Sequence, residues 1–419
     1  MNILKDASLN LFIDLSLKRF LKYVTYYTES DRHIEETPST PGQFVFAKAL
    51  AEELRGMGIS DVTVTDNCYV IARLPASKGK ESVPSIGFLA HLDTSSEVSG
   101  KDVKPVLVES YNGKPIQLAH GLVLDPSLDA GLAAHKGKAL VHSGGHTLLG
   151  ADDKAGIAAI MGAAEYLCTH PEIEHGLVEL IFTPDEETGK GLPDFPLESL
   201  KSKACYTVDG GPMGELEIEC FNAWGANIEF TGKSIHLGTA RGIMANACLM
   251  AAVFAAMLPR SESPEATDGY YGYYCPLEIK GEIEKASLEV FIRDFDSKNA
   301  EKRIANLETF ARAVEAQFPA GKVTVNSKVQ YLNMKEKINE EPRVYEKLQQ
   351  AFNNLGLEIN QKPIRGGTDG SRLTELGIPT PNYFTGGRNM HSRLEWLSVE
   401  ELAAASALTA ELIRLWAEG

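Results

Sequence analysis

The hydrophobic positions of this 419-residue chain follow two periods, one typical of α-helices and one typical of β-strands. Near the N-terminus, apolar residues recur every three or four positions and predict a first helix over residues 8–27. A second helix is predicted over 42–55, because Thr40 is a favourable N-cap and Pro41 suits the first helical position. Apolar and polar residues alternate on both sides of a polar turn within 62–74, which predicts a hairpin.

Three short apolar runs end in histidine or in acidic residues. They are SIGFLAHLD (85–93), LVELIFTPDEE (177–187) and KACYTVDGG (203–211), and a helix rich in Ala and Gly is predicted between the first two, over 150–167. Strands that alternate with helices indicate an α/β fold with a mixed, largely parallel sheet. Ligands bind beyond the carboxyl ends of the strands in such sheets, so the polar ends of these runs are candidate site residues.

The pattern changes near residue 219. Up to residue 331 the predicted order is strand, helix, two strands, helix and strand, which is typical of a small α+β sandwich. After residue 340 the α/β pattern returns and ends in a helix over 398–417. The simplest organisation is an α/β domain formed by 1–219 and 333–419, interrupted by an inserted domain over 220–332.

Composition and charge exclude several classes of protein. The chain has 41 Lys plus Arg against 57 Asp plus Glu, a net charge of −16, so a general nucleic-acid or anionic-membrane binder would meet like charge. Charged residues interrupt the apolar N-terminal segment, and no run approaches the ~20 apolar residues of a membrane span. The six scattered cysteines include no Cys-x-x-Cys pair and are typical of a reducing compartment. We therefore expect a cytoplasmic protein.

Candidate chemistry begins with His91 and Asp93, at the end of the first run. An imidazole nitrogen is a good zinc ligand, and a metal-bound histidine usually donates its other N–H to a carboxylate such as Asp93. The pair Asp152-Asp153 opens the Ala-rich helix, where one carboxylate could bridge two metal ions. Each motif by itself is more typical of a structural role, a hydrogen-bonded core histidine or a helix cap.

Further polar residues are predicted at the same edge of the sheet. Glu186 and Glu187 are adjacent, so their side chains point in different directions and could divide metal binding from proton transfer. Asp209 ends the third run, and His391 lies in the returning α/β segment. Two histidines, two terminal carboxylates and one bridging carboxylate make a co-catalytic dinuclear zinc site.

Several ordered motifs resemble the M20 metallopeptidases, nearly from the first helix to the last, and are most similar to the tripeptide aminopeptidases of that family. The motifs are GFLAHLDTS, LLGADDKAG, FTPDEETGKG, YTVDGG, KSIHLGTARGIMANA, RGGTDG and FTGGRNMHS. The resemblance implies a hydrolase with two Zn²⁺ ions, which Co²⁺ or Mn²⁺ could replace, and an inserted domain that acts as a lid or in dimerisation. A homodimer is therefore one expected assembly.

The resemblance also implies residue roles. One zinc would be held by His91, Asp153 and Asp209, and the other by Asp153, Glu187 and His391. Asp93 would orient His91. Glu186 would be the general base, which takes a proton from the metal-bridging water and passes it to the leaving nitrogen.

Residues outside the metal set are implied as substrate contacts. His236 of the inserted domain would stabilise the developing oxyanion. Arg365 would bind the terminal carboxylate of a peptide, with a structural salt bridge as the alternative role, and Arg293 and Asn246 are further candidates for the same pocket.

Some positions depart from the tripeptide aminopeptidases. Leu237 stands where they typically have proline, which alters the rigidity of that loop. Arg388 and Ser392-Arg393-Leu394 replace a tyrosine and a glycine-lysine-histidine run, so the side-chain preference of the pocket is open.

The sequence therefore predicts a dizinc aminopeptidase that removes the N-terminal residue from tripeptides with a free N-terminus. One alternative is another hydrolase of the same family, a dipeptidase, a carboxypeptidase or an N-acyl amino-acid amidohydrolase, because these share the metal motifs. A second alternative is a non-catalytic binding protein on the same scaffold.

Overall fold

The structure is a computed structural model that describes residues 9–418, so the predicted start of the first helix at residue 8 lies outside it. The α-helices in this range are α1 (Leu9–Tyr23), α2 (Pro41–Gly56), α3 (Ala130–Ala134), α4 (Ala151–Thr169), α5 (Ala247–Met257), α6 (Ser297–Gln317), α7 (Lys335–Glu340), α8 (Pro342–Leu355), α9 (Asp369–Glu375) and α10 (Val399–Trp416). No helix among residues 9–418 combines the length and apolarity needed to cross a membrane.

The strands are short except in the middle of the chain. They are β1 (Asp61–Val64), β2 (Val70–Leu74), β3 (Ile86–His91), β4 (Val106–Val108), β5 (Ile116–Gln117), β6 (Val123–Leu124), β7 (Leu140–His142), β8 (Val178–Thr183), β9 (Ala204–Gly210), β10 (Glu215–Glu217), β11 (Asn222–Thr231), β12 (Tyr273–Gly281), β13 (Lys285–Asp294), β14 (Lys322–Tyr331), β15 (Asn360–Gln361), β16 (Asn382–Phe384), β17 (Gly387–Arg388) and β18 (Trp396–Ser398).

The chain forms two compact units. The first consists of Met1–Ile218, Glu336–Lys362 and Thr368–Gly419, and the second of Glu219–Lys335 and Pro363–Gly367.

An eight-stranded sheet forms the centre of the first unit, in the order β1-β2-β8-β3-β9-β16-β10-β15. Four of its seven pairings are parallel, and they include the three that join β8, β3, β9 and β16. Every residue of β3 and β8 is buried, as expected for strands covered on both faces. The prediction of a mixed, largely parallel sheet is confirmed.

Small residues let helix α4 lie close against this sheet. A Cβ at Gly156 would overlap the carbonyl oxygen of Val208 in β9. Helix α10 packs against α4 and α1, and every residue of α10 except Glu400 is buried. Helix α2 begins at Pro41 as predicted, but the Thr40 hydroxyl donates to the Glu29 carbonyl and does not cap the helix.

A second sheet in this unit comes from segments for which the sequence predicts no element. Its order is β17-β18-β7-β4, and β18 pairs with β7 in antiparallel register, with Trp396 opposite His142. Trp396 is fully buried in the apolar cluster that this sheet shares with Tyr111 and Leu132. The sheet holds the segment that precedes α4 beside the segment that contains His391.

The second unit is a four-stranded antiparallel sheet, in the order β12-β13-β11-β14, with helices α5 and α6 packed against it. Its elements follow the predicted order of strand, helix, two strands, helix and strand. Phe230, Phe254 and Leu307 lie in its continuous apolar core.

Candidate metal centre

Five polar side chains converge where the central strands of the first unit end. His91 is the last residue of β3, Asp209 lies near the end of β9, and Glu187 sits in the short turn that follows β8. Asp152 lies in the first turn of α4, and His391 lies in the loop between β17 and β18. The parallel strands β3, β8 and β9 bring His91, Glu187 and Asp209 to one edge of the sheet, the usual ligand edge of such a fold.

The side chains form two overlapping groups whose oxygen and nitrogen atoms lie within 4.8 Å of one another. In the first, His91 Nε2 lies 2.8 Å from Asp152 Oδ1 and 3.7 Å from Asp209 Oδ1. In the second, His391 Nε2 lies 3.1 Å from Asp152 Oδ2 and 2.9 Å from Glu187 Oε1. Asp152 therefore offers one oxygen to each group, the arrangement of a carboxylate that bridges two cations.

The charges in this cluster perturb one another strongly. Burial raises the pKa of Asp209 well above its usual range, and the neighbouring Asp153 adds to the rise. Burial and Asp152 raise the pKa of Glu187 to about 7. Hydrogen bonds to Asp152 and Glu187 raise the pKa of His391 to about 11. Buried carboxylates that repel one another in this way are compensated by protons or by bound cations.

Asp153 does not occupy the bridging position that the sequence assigned to it, and Asp152 takes its place. Asp153 is fully buried, with Oδ2 accepting the backbone N–H of His91 and Oδ1 accepting that of Gly156. A carboxylate that accepts the N–H three residues later acts as a helix cap. Asp153 makes this contact within the first turn of α4, while the Asp152 carboxylate faces the two histidines.

Asp93 lies where it can orient His91. Its side chain is fully buried, and His91 Nδ1 lies 3.4 Å from Asp93 Oδ1 and 3.1 Å from the Asp93 carbonyl oxygen. The two carboxylate oxygens of Asp93 also accept the backbone N–H groups of Glu186 and Glu187. Asp93 thus holds both the ring of His91 and the turn that carries the two glutamates.

Glu186 lies beside the cluster, in a narrow pocket that His91, Asp209 and Asp369 also line. Burial raises the pKa of Glu186 well above its usual range, and the carboxylates of Asp209 and Asp369 raise it further, against the effect of His91. Asp369, in the motif RGGTDG, lines this pocket although the sequence did not single it out, and burial raises its pKa to about 7.

The other predicted contacts belong to the second unit. His236 is exposed, and its Nδ1 accepts the backbone N–H of Gly238. Asn246 is the N-cap of α5, with Oδ1 accepting the Leu249 N–H. Arg293 is buried, donates to the carbonyl oxygens of Trp224 and Ile292, and lies over two aromatic rings.

Arg365 makes structural contacts within the second unit. Its terminal nitrogens donate to the carbonyl oxygens of Gly269 and Tyr271 and to the carbonyl and hydroxyl oxygens of Thr267. The guanidinium also lies over the ring of Phe221. In this conformation the guanidinium is directed at the segment 267–271, and its partners are neutral oxygens, not the carboxylate of a structural salt bridge.

The positions that depart from the tripeptide aminopeptidases also have structural contacts. Arg388 forms a two-point ion pair with Glu401 and lies over the ring of Trp396. The Ser392 hydroxyl donates to the carbonyl oxygen of Asn389 and accepts the N–H of Leu394, which closes the turn after His391. Arg393 is exposed.

Known proteins are similar to this chain over nearly its full length. Peptidase T from Clostridium perfringens (strain SM101 / Type A) is 46% identical over 96% of this chain and 98% of its own. Peptidase T from Geobacillus sp. (strain WCH70) is 47% identical over the same shares of the two chains.

Solved structures show the same fold at lower identity. Aminopeptidase PepT from Bacillus cereus ATCC 10987 superposes with a TM-score of 0.75 at 23% identity, over 97% of this chain and 99% of that one. The YXEP protein of Bacillus subtilis is a dinuclear metal-binding peptidase from the M20 family. It superposes with a TM-score of 0.65 at 16% identity, over 98% of this chain and 99% of its own. Residues 136–415 match the sequence profile described as peptidase family M20/M25/M40. The chain therefore belongs to peptidase family M20/M25/M40.

Proposed function

We propose that this protein is a dizinc aminopeptidase that removes the N-terminal residue from tripeptides. The observation that carries the proposal is its identity of 46–47%, over 96% of the chain, to proteins named peptidase T. The predicted alternatives within the family share the metal-site motifs, so the metal site by itself does not distinguish them.

The donor set supports a pair of zinc ions. His91, Asp152 and Asp209 would hold one ion, and Asp152, Glu187 and His391 the other. Mixed imidazole and carboxylate ligands suit zinc, and Co²⁺ or Mn²⁺ can occupy similar sets. When bound, the ions would lower the pKa of water and polarise the scissile carbonyl.

Glu186 is the residue we assign to proton transfer. Its pKa is raised by burial and by the acidic residues around it, so its carboxylate is a better proton acceptor near neutral pH than a solvated glutamate. It would take a proton from the attacking water and deliver it to the leaving nitrogen. Asp93, which holds His91 and the Glu186 amide, would keep this geometry rigid.

We assign the second unit, Glu219–Lys335 with Pro363–Gly367, to the role of an inserted lid. His236, Asn246, Arg293 and Arg365 all lie in it. Oxyanion stabilisation by His236 and substrate binding by the other three stay predictions. Sedimentation analysis would test the predicted homodimer. We also propose a cytoplasmic location, because the six cysteines are unpaired.

A panel of small peptides tests the proposed activity. With zinc or cobalt added, we expect hydrolysis of tripeptides with a free N-terminus, little hydrolysis of dipeptides and tetrapeptides, and none of the N-acetylated tripeptide. Cleavage of the acetylated peptide would identify an amidohydrolase or carboxypeptidase, and preference for dipeptides would identify a dipeptidase. Stoichiometric zinc binding with no hydrolysis of any peptide would support the binding-protein alternative.

A further inference from the structure

Glu395 is a buried carboxylate, 1% exposed, that lies four residues after His391. Its Oε2 accepts the backbone N–H groups of Leu149 and Gly150, at 2.6 and 2.9 Å. Its Oε1 accepts those of Ala151 and Asp152, at 2.7 and 3.3 Å. One side chain therefore binds four consecutive amides at the start of α4, with Asp152 as the last of them.

The segment 149–152 lacks the usual local partners for these amides. Gly150, at the N-cap position, has no side chain and a φ of 82°, and Asp152 has a non-helical ψ of 106°. Backbone amides at a helix start that are buried without an acceptor cost about 1–3 kcal/mol each. Glu395 supplies that acceptor from a segment 243 residues away, so the path of the backbone through Asp152 depends on it.

The same short loop also carries His391, whose Nε2 lies 3.1 Å from Asp152 Oδ2. Hydrogen bonds of Ser392 to Asn389 and Leu394 close this loop into a fixed turn. The loop thus contacts Asp152 twice, with His391 at the side chain and Glu395 at the backbone. The distance between the His391 ring and the Asp152 carboxylate is set by these two contacts together.

Asp93 shows a related arrangement on the other histidine. It follows His91 by two residues and accepts the amides of Glu186 and Glu187. Near each histidine, therefore, a buried carboxylate accepts hydrogen bonds from the backbone of a second segment, and that second segment carries acidic candidate ligands. Glu395 differs in that its hydrogen bonds go to backbone amides alone, so it acts on Asp152 through the backbone of 149–152 and through the charge of its own carboxylate.

We propose that Glu395 is a positioning residue that sets the place of the bridging Asp152 carboxylate and thereby the affinity of the centre for its metal ions. This inference rests on the proposed metal centre and not on the proposed peptide specificity. Residues that orient metal ligands typically change metal affinity 10–100-fold when they are replaced.

The test compares Glu395→Gln with Glu179→Gln. Glu179 is an apt control because it is also fully buried and accepts two consecutive backbone amides, those of Lys201 and Ser202, away from the cluster. Zn²⁺ affinity is measured by competition with a chromophoric chelator, and the Co²⁺ absorption spectrum reports ligand geometry. Urea unfolding of the metal-free proteins gives the structural effect of each change.

We expect E395Q to lose at least tenfold in Zn²⁺ affinity and to show an altered Co²⁺ spectrum, while E179Q loses stability but binds metal like the wild type. E395D, which keeps the charge on a shorter side chain, should have intermediate affinity and serves if E395Q does not fold. Wild-type affinity in both Glu395 variants, or an equal loss in E179Q, would overturn the proposal. A wild-type protein that binds no metal would instead refute the metal centre itself.

Discussion

Asp152 and Asp153 are neighbours in the chain, but their carboxylates have different partners. Asp152 lies between His91 and His391, whereas Asp153 accepts two backbone amides. We therefore expect Asp152→Asn to lower Zn²⁺ affinity more than about 100-fold, beyond the effect usual for residues behind the ligands. Asp153→Asn should retain both ions and cost about 1–3 kcal/mol of stability, because a buried acceptor is weakened. Metal analysis after dialysis and urea unfolding measure the two effects.

The two variants serve as controls for each other, since they make the same chemical change at adjacent positions. If Asp153→Asn lost its ions while Asp152→Asn kept them, the bridging carboxylate would be Asp153, as first expected from the sequence.

Glu186 provides a second prediction at the scale of a residue. Glu186→Gln removes the proposed proton acceptor but keeps the shape of the side chain. We expect turnover of a free tripeptide to fall about 10²–10⁴-fold with both ions retained, the usual range for loss of a general base. Steady-state kinetics and metal content check this. Turnover near that of the wild type would assign proton transfer to another group.

Much of the site could be predicted from sequence, because strand ends of a parallel sheet meet at one edge. His91, Glu187, Asp209 and His391 converge as expected. The choice between two adjacent acids could not be predicted, since it depends on backbone torsions at the helix start. Glu395 was missed for a related reason: its partners are backbone amides far away in the chain, and these have no signature in residue type.

At the scale of elements, Gly156 determines how closely α4 approaches β9. A methyl group there would overlap both the Val208 carbonyl oxygen and the Asp153 carboxylate. We expect Gly156→Ala to destabilise the protein by about 3 kcal/mol, because backbone atoms cannot move aside cheaply. Gly56→Ala is the matched control, since that helix-terminal glycine has open space around it. It should be neutral or stabilise by about 0.4–1 kcal/mol. Urea midpoints compare the two, and equal effects would show that contact with β9 is not the cause.

Elements with a strong hydrophobic period were predicted well, and elements without one were not. Helix α2 lies close to its predicted bounds, and the elements of the second unit follow their predicted order. The sheet β17-β18-β7-β4 was not predicted, because strands of two or three residues are too short to show a period. Its pairing is set by tertiary contacts such as those of buried Trp396.

At the scale of the first unit as a whole, Glu401 joins segments that are far apart in the chain. Its carboxylate contacts Arg388 and His135 and accepts the backbone N–H of Met213. Although burial opposes ionisation, these partners lower the pKa of Glu401 to about 2. The Glu401 carboxyl binds its proton more tightly in the unfolded chain than in the folded one. Its contribution to the free energy of unfolding is therefore complete above about pH 4.5 and is lost as the pH falls towards 2. A shift of this size corresponds to about 3 kcal/mol.

The same linkage predicts how a variant responds to acid. At pH 6, Glu401→Gln should unfold at a lower urea concentration than the wild type. The gap between the two urea midpoints should narrow steadily as the pH is lowered from 5 to 3. Arg388→Met should show the same narrowing, because it removes a cation that keeps Glu401 ionised. Urea midpoints at several pH values measure both. If either gap stayed constant with pH, the ionised pair would not be the source of the stability, and the packing of these side chains would account for it.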